Sequence, residues 1–163
     1  MKKILLISLC FALTTCGFQL RGQASLPFDT IYISFPVGHP IGTDVRRLVQ
    51  SGTTTRVVDK AKNAQATLEI ISAENDKQIM SVSGGGRVRE FELRYRVSFR
   101  LVNAKGEELI PTSEIALRRI LPYTDAQVVA KEGEEAMLVR EMQGDSADQI
   151  LRRLEAVKIA ATK

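Results

Sequence analysis

Tryptophan is absent from this 163-residue chain, and two Cys and one His are all it has of the two commonest zinc-binding side chains. That scarcity leaves little room for a Cys/His zinc site. A Ser-His-Asp site would have to recruit His39, which sits in a Pro/Gly-rich loop and reads as a solvated residue. An excess of one charge is also lacking. Lys and Arg number 23 against 19 Asp and Glu, and a net +4 does not by itself make a nucleic-acid-binding protein. Apolar residues are not scarce: 44% hydrophobic and 26% charged exclude a disordered chain. The length fits one domain. Enzymatic readings start at a disadvantage, and no catalytic residue, metal ligand or cofactor is expected.

Long hydrophobic runs are missing except at the start. Lys2 and Lys3 precede an apolar stretch from Ile4 to Leu13, broken only by Ser8. That run is too short to span a ~30 Å hydrocarbon core, but it fits the apolar region of a secretory signal. Leu13-Thr14-Thr15-Cys16 then resembles a bacterial lipobox, with Thr15 in place of the usual Gly, Ala or Ser. The resemblance implies residues 1–15 as a lipoprotein signal peptide, cleavage before Cys16, and a diacylglycerol group on the Cys16 thiol. Removing Lys2 and Lys3 would lower the net charge from +4 to +2. Cys10 would leave with the signal, so residues 16–163 fold without a disulfide even in an oxidising compartment. Gly17, rather than Asp, follows the Cys, which in lipoproteins points to the outer membrane.

A ~150-residue domain buries roughly 68–70% of its unfolded surface, enough for one unstapled core. Phe91, Leu93, Tyr95, Val97, Phe99 and Leu101 alternate with Glu92, Arg94, Arg96, Ser98 and Arg100. This period of two predicts a long strand with one buried and one basic, wet face, in an antiparallel sheet covered on one side. Asn103–Gly106 reads as a turn with Gly in the left-handed position. Pro111–Leu121 is the next strand, with Ile115 and Leu117 inward, and Arg118 and Arg119 on opposite faces. Upstream, Thr30–Phe35, Ala66–Ala73 and Gln78–Ser83 read as strands. Gly84-Gly85-Gly86 forms a hairpin end; no Gly-Lys-Ser/Thr follows, so it is not a phosphate loop. A short helix is predicted over Asp44–Ser51, closed by Gly52. A long one follows from Ala126 to about Lys158, N-capped by Thr124 or Asp125. Val139, Met142, Ser146, Ile150, Leu154 and Val157 share one face of it, and both its Met read as core. Early glutamates and late Arg152, Arg153 and Lys158 suit the helix dipole; Gly144 is a place to bend. The expected fold is α+β: a four- to five-stranded, mostly antiparallel sheet with two helices on one face.

In that frame, Cys16-Gly17-Phe18-Gln19-Leu20-Arg21-Gly22 resembles the mature start of the LPS-assembly lipoprotein family, LptE. Matches continue in order through Tyr95–Val102, Ala130-Lys131-Glu132, Glu141-Met142 and Ile150-Leu151-Arg152-Arg153-Leu154. Thr15 departs from the pattern, as does the end at Lys163 without the polar tail of some members. The resemblance implies a non-enzymatic outer-membrane lipoprotein facing the periplasm, held in the inner leaflet by its lipid. Its partners would be lipopolysaccharide and the barrel that inserts it, LptD, whose lumen it plugs and whose assembly it helps.

The residues are compatible with that chemistry. Segment 84–121 carries Arg87, Arg89, Arg94, Arg96, Arg100, Lys105, Arg118 and Arg119 against five Glu, a local excess of +3. Arginine suits bidentate phosphate contact, although these side chains also suit pairing with Glu90, Glu92 and Glu114. Lys131, on the family's basic position, and Arg87, beside the glycine loop, are the first candidates for ligand phosphates, both expected exposed. The alternative is a generic periplasmic ligand-binding lipoprotein. A hydrolase using Glu134 and Glu135 is weak, because neighbouring helix residues face different directions. The lipobox generates the first prediction. Cys16→Ala should leave the protein unlipidated and either unprocessed or mislocalised. Mass spectrometry of the wild-type mature N-terminus checks it, and an unmodified Cys16 thiol would refute it.

Overall fold

Thr30–Ser34 opens the regular structure as β1, and α1 (Ile41–Gly52), β2 (Arg56–Val58) and a 3-10 turn (Ala61–Asn63) follow. Three long strands come next, β3 (Ala66–Val82), β4 (Val88–Asn103) and β5 (Glu108–Pro122), and then α2 (Val128–Glu155). This computed structural model describes residues 25–123 and 128–157, without the side chains of 128–130. The signal segment, Cys16, Thr124, Asp125, Ala126 and Lys158 lie outside the described residues.

One sheet runs in the order β2-β1-β3-β4-β5. β1 lies parallel to β2 and β3 in short registers. β3, β4 and β5 form a long antiparallel meander. α1 packs over β1 and β2, α2 over β4 and β5, and the two helices pack on each other, giving the α+β fold expected. Among the described residues, no helix is long and apolar enough to cross a membrane.

β4 organises the core. Leu93, Tyr95, Val97, Phe99 and Leu101 are buried on its helix side, and Phe91 is half-buried near the strand start. Their neighbours carry the wet face, where Arg96 is exposed and Arg94 and Arg100 are half-buried against carboxylates. β3 keeps the same core in contact only by changing parity. Ala66, Leu68 and Ile70 point inward, then a bulge leaves Ile71 outside the register, and Ala73 is the next buried residue. A bulge adds one unpaired residue and so swaps the faces of everything after it.

Three sequence expectations change. The strands placed at Ala66–Ala73 and Gln78–Ser83 are one strand, because the polar stretch between them pairs residue by residue with β4. Glu74 lies opposite Arg96 and Asp76 opposite Arg94, so cross-strand charge offsets the low strand propensity. The five-strand count survives because β2, too short to show a period, adds one. α1 begins at Ile41, not Asp44, and Gly52 is its last residue rather than a left-handed cap. Thr53 closes the helix, donating both its N–H (3.1 Å) and its hydroxyl (2.7 Å) to the Val49 carbonyl. Gly42 is required there for space: a Cβ would lie 2.0 Å from the Phe35 ring. Met142 is in the core but Met137 is 48% exposed, contrary to the placement of both Met inside.

The turn expectations hold. Gly86 (φ 76°) closes the β3–β4 hairpin and Gly106 (φ 83°) the β4–β5 hairpin. Leu117 is half-buried beside buried Ile115, and α2 runs through Gly133 and Gly144 as one helix. The two faces of β4 make the second prediction. Phe99→Ala should destabilise by about 3–5 kcal/mol, and Arg96→Ala by less than about 0.5 kcal/mol. Denaturant unfolding of both variants checks this; comparable losses would contradict the assignment of faces.

Candidate functional site

The arginine-rich strands do not present a free basic face. Arg100 reaches Glu69 (2.6 Å) and Glu108 (3.8 Å), and Arg96 reaches Glu74 (3.4 Å). Glu92 contacts Arg94 beside it and Arg118 across the strand (3.8 Å). β3 supplies the acids that counting along segment 84–121 left out, so the local excess dissolves on folding. Such partly exposed pairs are each worth little in stability, but they occupy the guanidinium groups. Arg119 turns to the helix side, as alternation requires, and holds Asp145 of α2 at 2.6 Å.

Among the described residues, the arginines of segment 84–121 without a carboxylate within 4.0 Å lie at the β3–β4 hairpin end. Arg87 and Arg89 are both exposed there. The Arg87 backbone closes the hairpin, its carbonyl accepting from Ser83 N–H (2.7 Å) and its own N–H donating to Ser83 Oγ (3.2 Å). The carbonyl of Arg89 accepts from Tyr123 N–H (2.8 Å), which brings the end of β5 to the same place. Tyr123 meets Phe91 edge-on at 5.2 Å. Next to them the last part of β3 exposes Ile79 (59%), Met80 (52%) and Val82 (56%). This end of the sheet is therefore amphipathic: apolar side chains beside arginines without a carboxylate partner.

α2 approaches the same end. Lys77 of β3 ion-pairs with Glu135 at 2.5 Å and lies 4.3 Å from the centre of the Phe91 ring. An open groove of about 550 Å³ between β3 and α2 is lined by Lys77, Glu132, Glu135, Arg140 and Gln143. Lys131 is not exposed as expected. Its side chain is 16% exposed, with Nζ 2.6 Å from Glu134, one helical turn on. The structure thus does not join Lys131 and Arg87 in one contact. It adds Lys77 and Arg89 to the candidates. Arg89 was legible as part of the basic segment, whereas Lys77 fell in the stretch between two expected strands and carried no signal.

Other candidates separate. His39 is exposed in the loop before α1. Glu134 and Glu135 reach different cations, so they do not flank one bond. Among the described residues no cluster of His, Cys, Asp and Glu is fit to hold a metal ion. Tyr95 is 2% exposed and its hydroxyl has no hydrogen-bond partner among the described residues. Burial, and then the negative charge of Asp44 on α1, push its pKa from 10 up to about 12. A proton held more tightly in the folded state contributes stability that is complete below pH 10 and disappears as pH rises toward 12. The third prediction follows: stability falls between pH 10 and 12, and Tyr95→Phe flattens that fall. Urea melts across this range check it; an unchanged slope in the variant would refute it.

The matches to known proteins agree with this architecture. The sequence model of the LptE family, described as lipopolysaccharide-assembly, matches residues 28–154, which include all five strands. The LPS-assembly lipoprotein LptE of Yersinia pestis (strain Pestoides F) is 28% identical over 166 residues, covering 98% of this chain and 78% of that protein. Its counterpart in Yersinia pseudotuberculosis serotype O:3 (strain YPIII) gives the same figures. The solution structure of uncharacterized lipoprotein B from Nitrosomonas europaea is 49% identical. It superposes with a TM-score of 0.76 over 86% of this chain and 91% of that one. Rare lipoprotein B from Shewanella oneidensis is 26% identical, with a TM-score of 0.68 over 78% and 94%. With β4, the meander and all but the last residue of α2 inside the matched span, the chain belongs to the LptE lipopolysaccharide-assembly family.

Proposed function

We propose that this protein is a lipid-anchored outer-membrane lipoprotein that seats in the lumen of the barrel LptD and binds lipopolysaccharide as it passes. Family membership gives it a part in lipopolysaccharide assembly. The plug role, the help given to barrel assembly, the lipid on Cys16 and the periplasmic orientation are our reading. So is the absence of catalysis.

The observation that carries ligand binding is the hairpin end. Lipopolysaccharide combines phosphates with an apolar lipid. Arg87 and Arg89 are exposed beside Ile79, Met80 and Val82, whereas the arginines of the sheet face already hold carboxylates. Arginine gives a phosphate two parallel hydrogen bonds, and the adjacent apolar surface accepts part of the lipid. Lys131, which makes no contact with Arg87, would contribute separately by exchanging Glu134 for a phosphate, a swap between two anions on one ammonium.

The fourth prediction tests the site. Lys131→Gln together with Arg87→Asp should weaken binding of purified lipopolysaccharide about tenfold at low salt. Lys131→Gln is preferred to an acidic replacement because it places no second carboxylate beside Glu134. Wild-type binding should also weaken as salt rises, since exposed charges are screened over ~8–10 Å. Affinity titrations of both proteins decide it, and equal affinities at low salt would remove these residues from the site. The barrel reading has its own measurement. An affinity-tagged copy should co-purify with one very large β-barrel, whereas a generic ligand-binding lipoprotein should come down alone.

A further inference from the structure

The end of the sheet opposite the glycine hairpin carries a second group of cations. β3 pairs Ala66 with Asn103 at one end and Val82 with Val88 at the other, which sets the two ends ~50 Å apart. Three backbone hydrogen bonds tie the first of these ends together. Arg56 N–H donates to the Asp29 carbonyl (2.9 Å), Gln65 N–H to the Thr30 carbonyl (3.1 Å) and Ala104 N–H to the Gln65 carbonyl (3.1 Å). The starts of β1, β2 and β3 and the β4–β5 turn therefore meet in one place. Handedness then puts the cations on one surface. β1, α1 and β2 form one parallel crossover; β2, the 3-10 turn and β3 form another, which steps back across β1. Parallel crossovers are right-handed, so two that step in opposite directions lie on opposite faces of the sheet. α1 takes the covered face. The 3-10 turn takes the open one, with Lys60 leading into it and Lys62 within it. Arg56 points the same way, because Val57 beside it packs on the core and strand residues alternate.

Lys105 adds a fourth cation from the adjoining turn. Arg56, Lys60, Lys62 and Lys105 are all exposed, and none has a carboxylate within 4.0 Å among the described residues. The acids nearby are fewer. Asp59 holds Arg46 (3.4 Å) and Glu108 lies 3.8 Å from Arg100, which leaves Asp29 and Glu107 against the four cations. The chain also enters the fold here. Ser25 precedes buried Leu26 and Phe28. Cys16 stands only a short stretch before Ser25, a reach of at most roughly 30 Å. A lipid on Cys16 would thus hold this end, rather than the distant hairpin, close to phospholipid headgroups.

We infer that this basic end is a docking surface for the anionic phospholipid headgroups of the leaflet that holds the anchor, and that it orients the domain with the 84–86 hairpin away from them. The inference takes its membrane from the anchor proposed at Cys16, and it leaves a single copy free to seat in a barrel. A cation beside an anionic leaflet strengthens binding about fivefold, and salt screens the effect. The test uses the chain from Gly17, which carries no lipid. The core runs from Leu26 to Val157, so this chain keeps the whole fold. It reads the patch whether or not Cys16 is acylated, which mass spectrometry decides separately. Co-sedimentation compares vesicles of phosphatidylcholine alone with vesicles containing about one-third phosphatidylglycerol. Wild type should bind the anionic vesicles about tenfold more tightly at low salt. Combining Arg56→Gln, Lys60→Gln, Lys62→Gln and Lys105→Gln should remove most of that gain with the melting temperature unchanged, because all four side chains are exposed. The chain from Gly17 has no cysteine, so one introduced thiol can carry a polarity-sensitive dye. The dye at Asn63→Cys should shift to the blue on anionic vesicles, and the dye at Gly85→Cys should not. Equal binding to both kinds of vesicle, undiminished binding by the fourfold variant, or a shift at Gly85→Cys as large as at Asn63→Cys would each overturn the proposal.

Discussion

Only one face of the sheet is covered, so apolar side chains of a strand are sheltered only where they point at α1 and α2. β4 keeps them there by unbroken alternation. β3 cannot, since Ile70 and Ala73 both belong to the core and lie an odd number of residues apart. The bulge at Ile71 resolves the conflict at the expense of one exposed isoleucine. The remaining contacts depend on that parity. Phe99 meets Ile70 across the strands, Arg153 lies over the Phe99 ring, and Ile150 and Leu154 close the core from α2. α1 takes its seat through Gly42, whose missing side chain lets the Phe35 ring fill the space.

The uncovered face obeys a second constraint. Arg94 and Arg118 lie directly opposite one another, a repulsive arrangement that Glu92 relieves by contacting both. With Glu69, Glu74 and Glu108 on the neighbouring strands, four arginines are neutralised within the sheet. Of the arginines on these strands, Arg87 and Arg89 at the β3–β4 hairpin end are the ones left without a carboxylate within 4.0 Å among the described residues. A polyanion meeting this molecule finds a balanced flank and a cationic tip.

What the sequence disclosed follows from how local each signal is. The alternation from Phe91 to Leu101 is carried entirely within one strand, and the turns at Gly86 and Gly106 rest on single backbone angles. The long helix face needed only its own spacing. Three things rest on partners instead. The middle of β3 has a loop-like composition and becomes strand through Arg94 and Arg96. β2 exists because β1 offers it a parallel edge. Lys131 is drawn down by Glu134, so its burial is not written in its own position. The candidate site was legible only in part. Arg87 could be placed by its glycines, but the neutralisation that singles it out involves acids on another strand.

The parallel pairing of β1 with β3 has a consequence for the order of folding. The meander of β3, β4 and β5 joins neighbours in sequence through two tight hairpins and can form by local steps. β1 and β2 find their places only on that finished edge, and α1 only beneath α2, more than 80 residues further along the chain. Contacts of such separation form late, because chain entropy must be lost before they are gained. A chain that emerges N-terminus first therefore displays Ile31, Ile33, Ile41, Val45 and Val49 well before their cover exists. The segment made first is the last to be sheltered, and during that interval it is the part of the protein most in need of a chaperone.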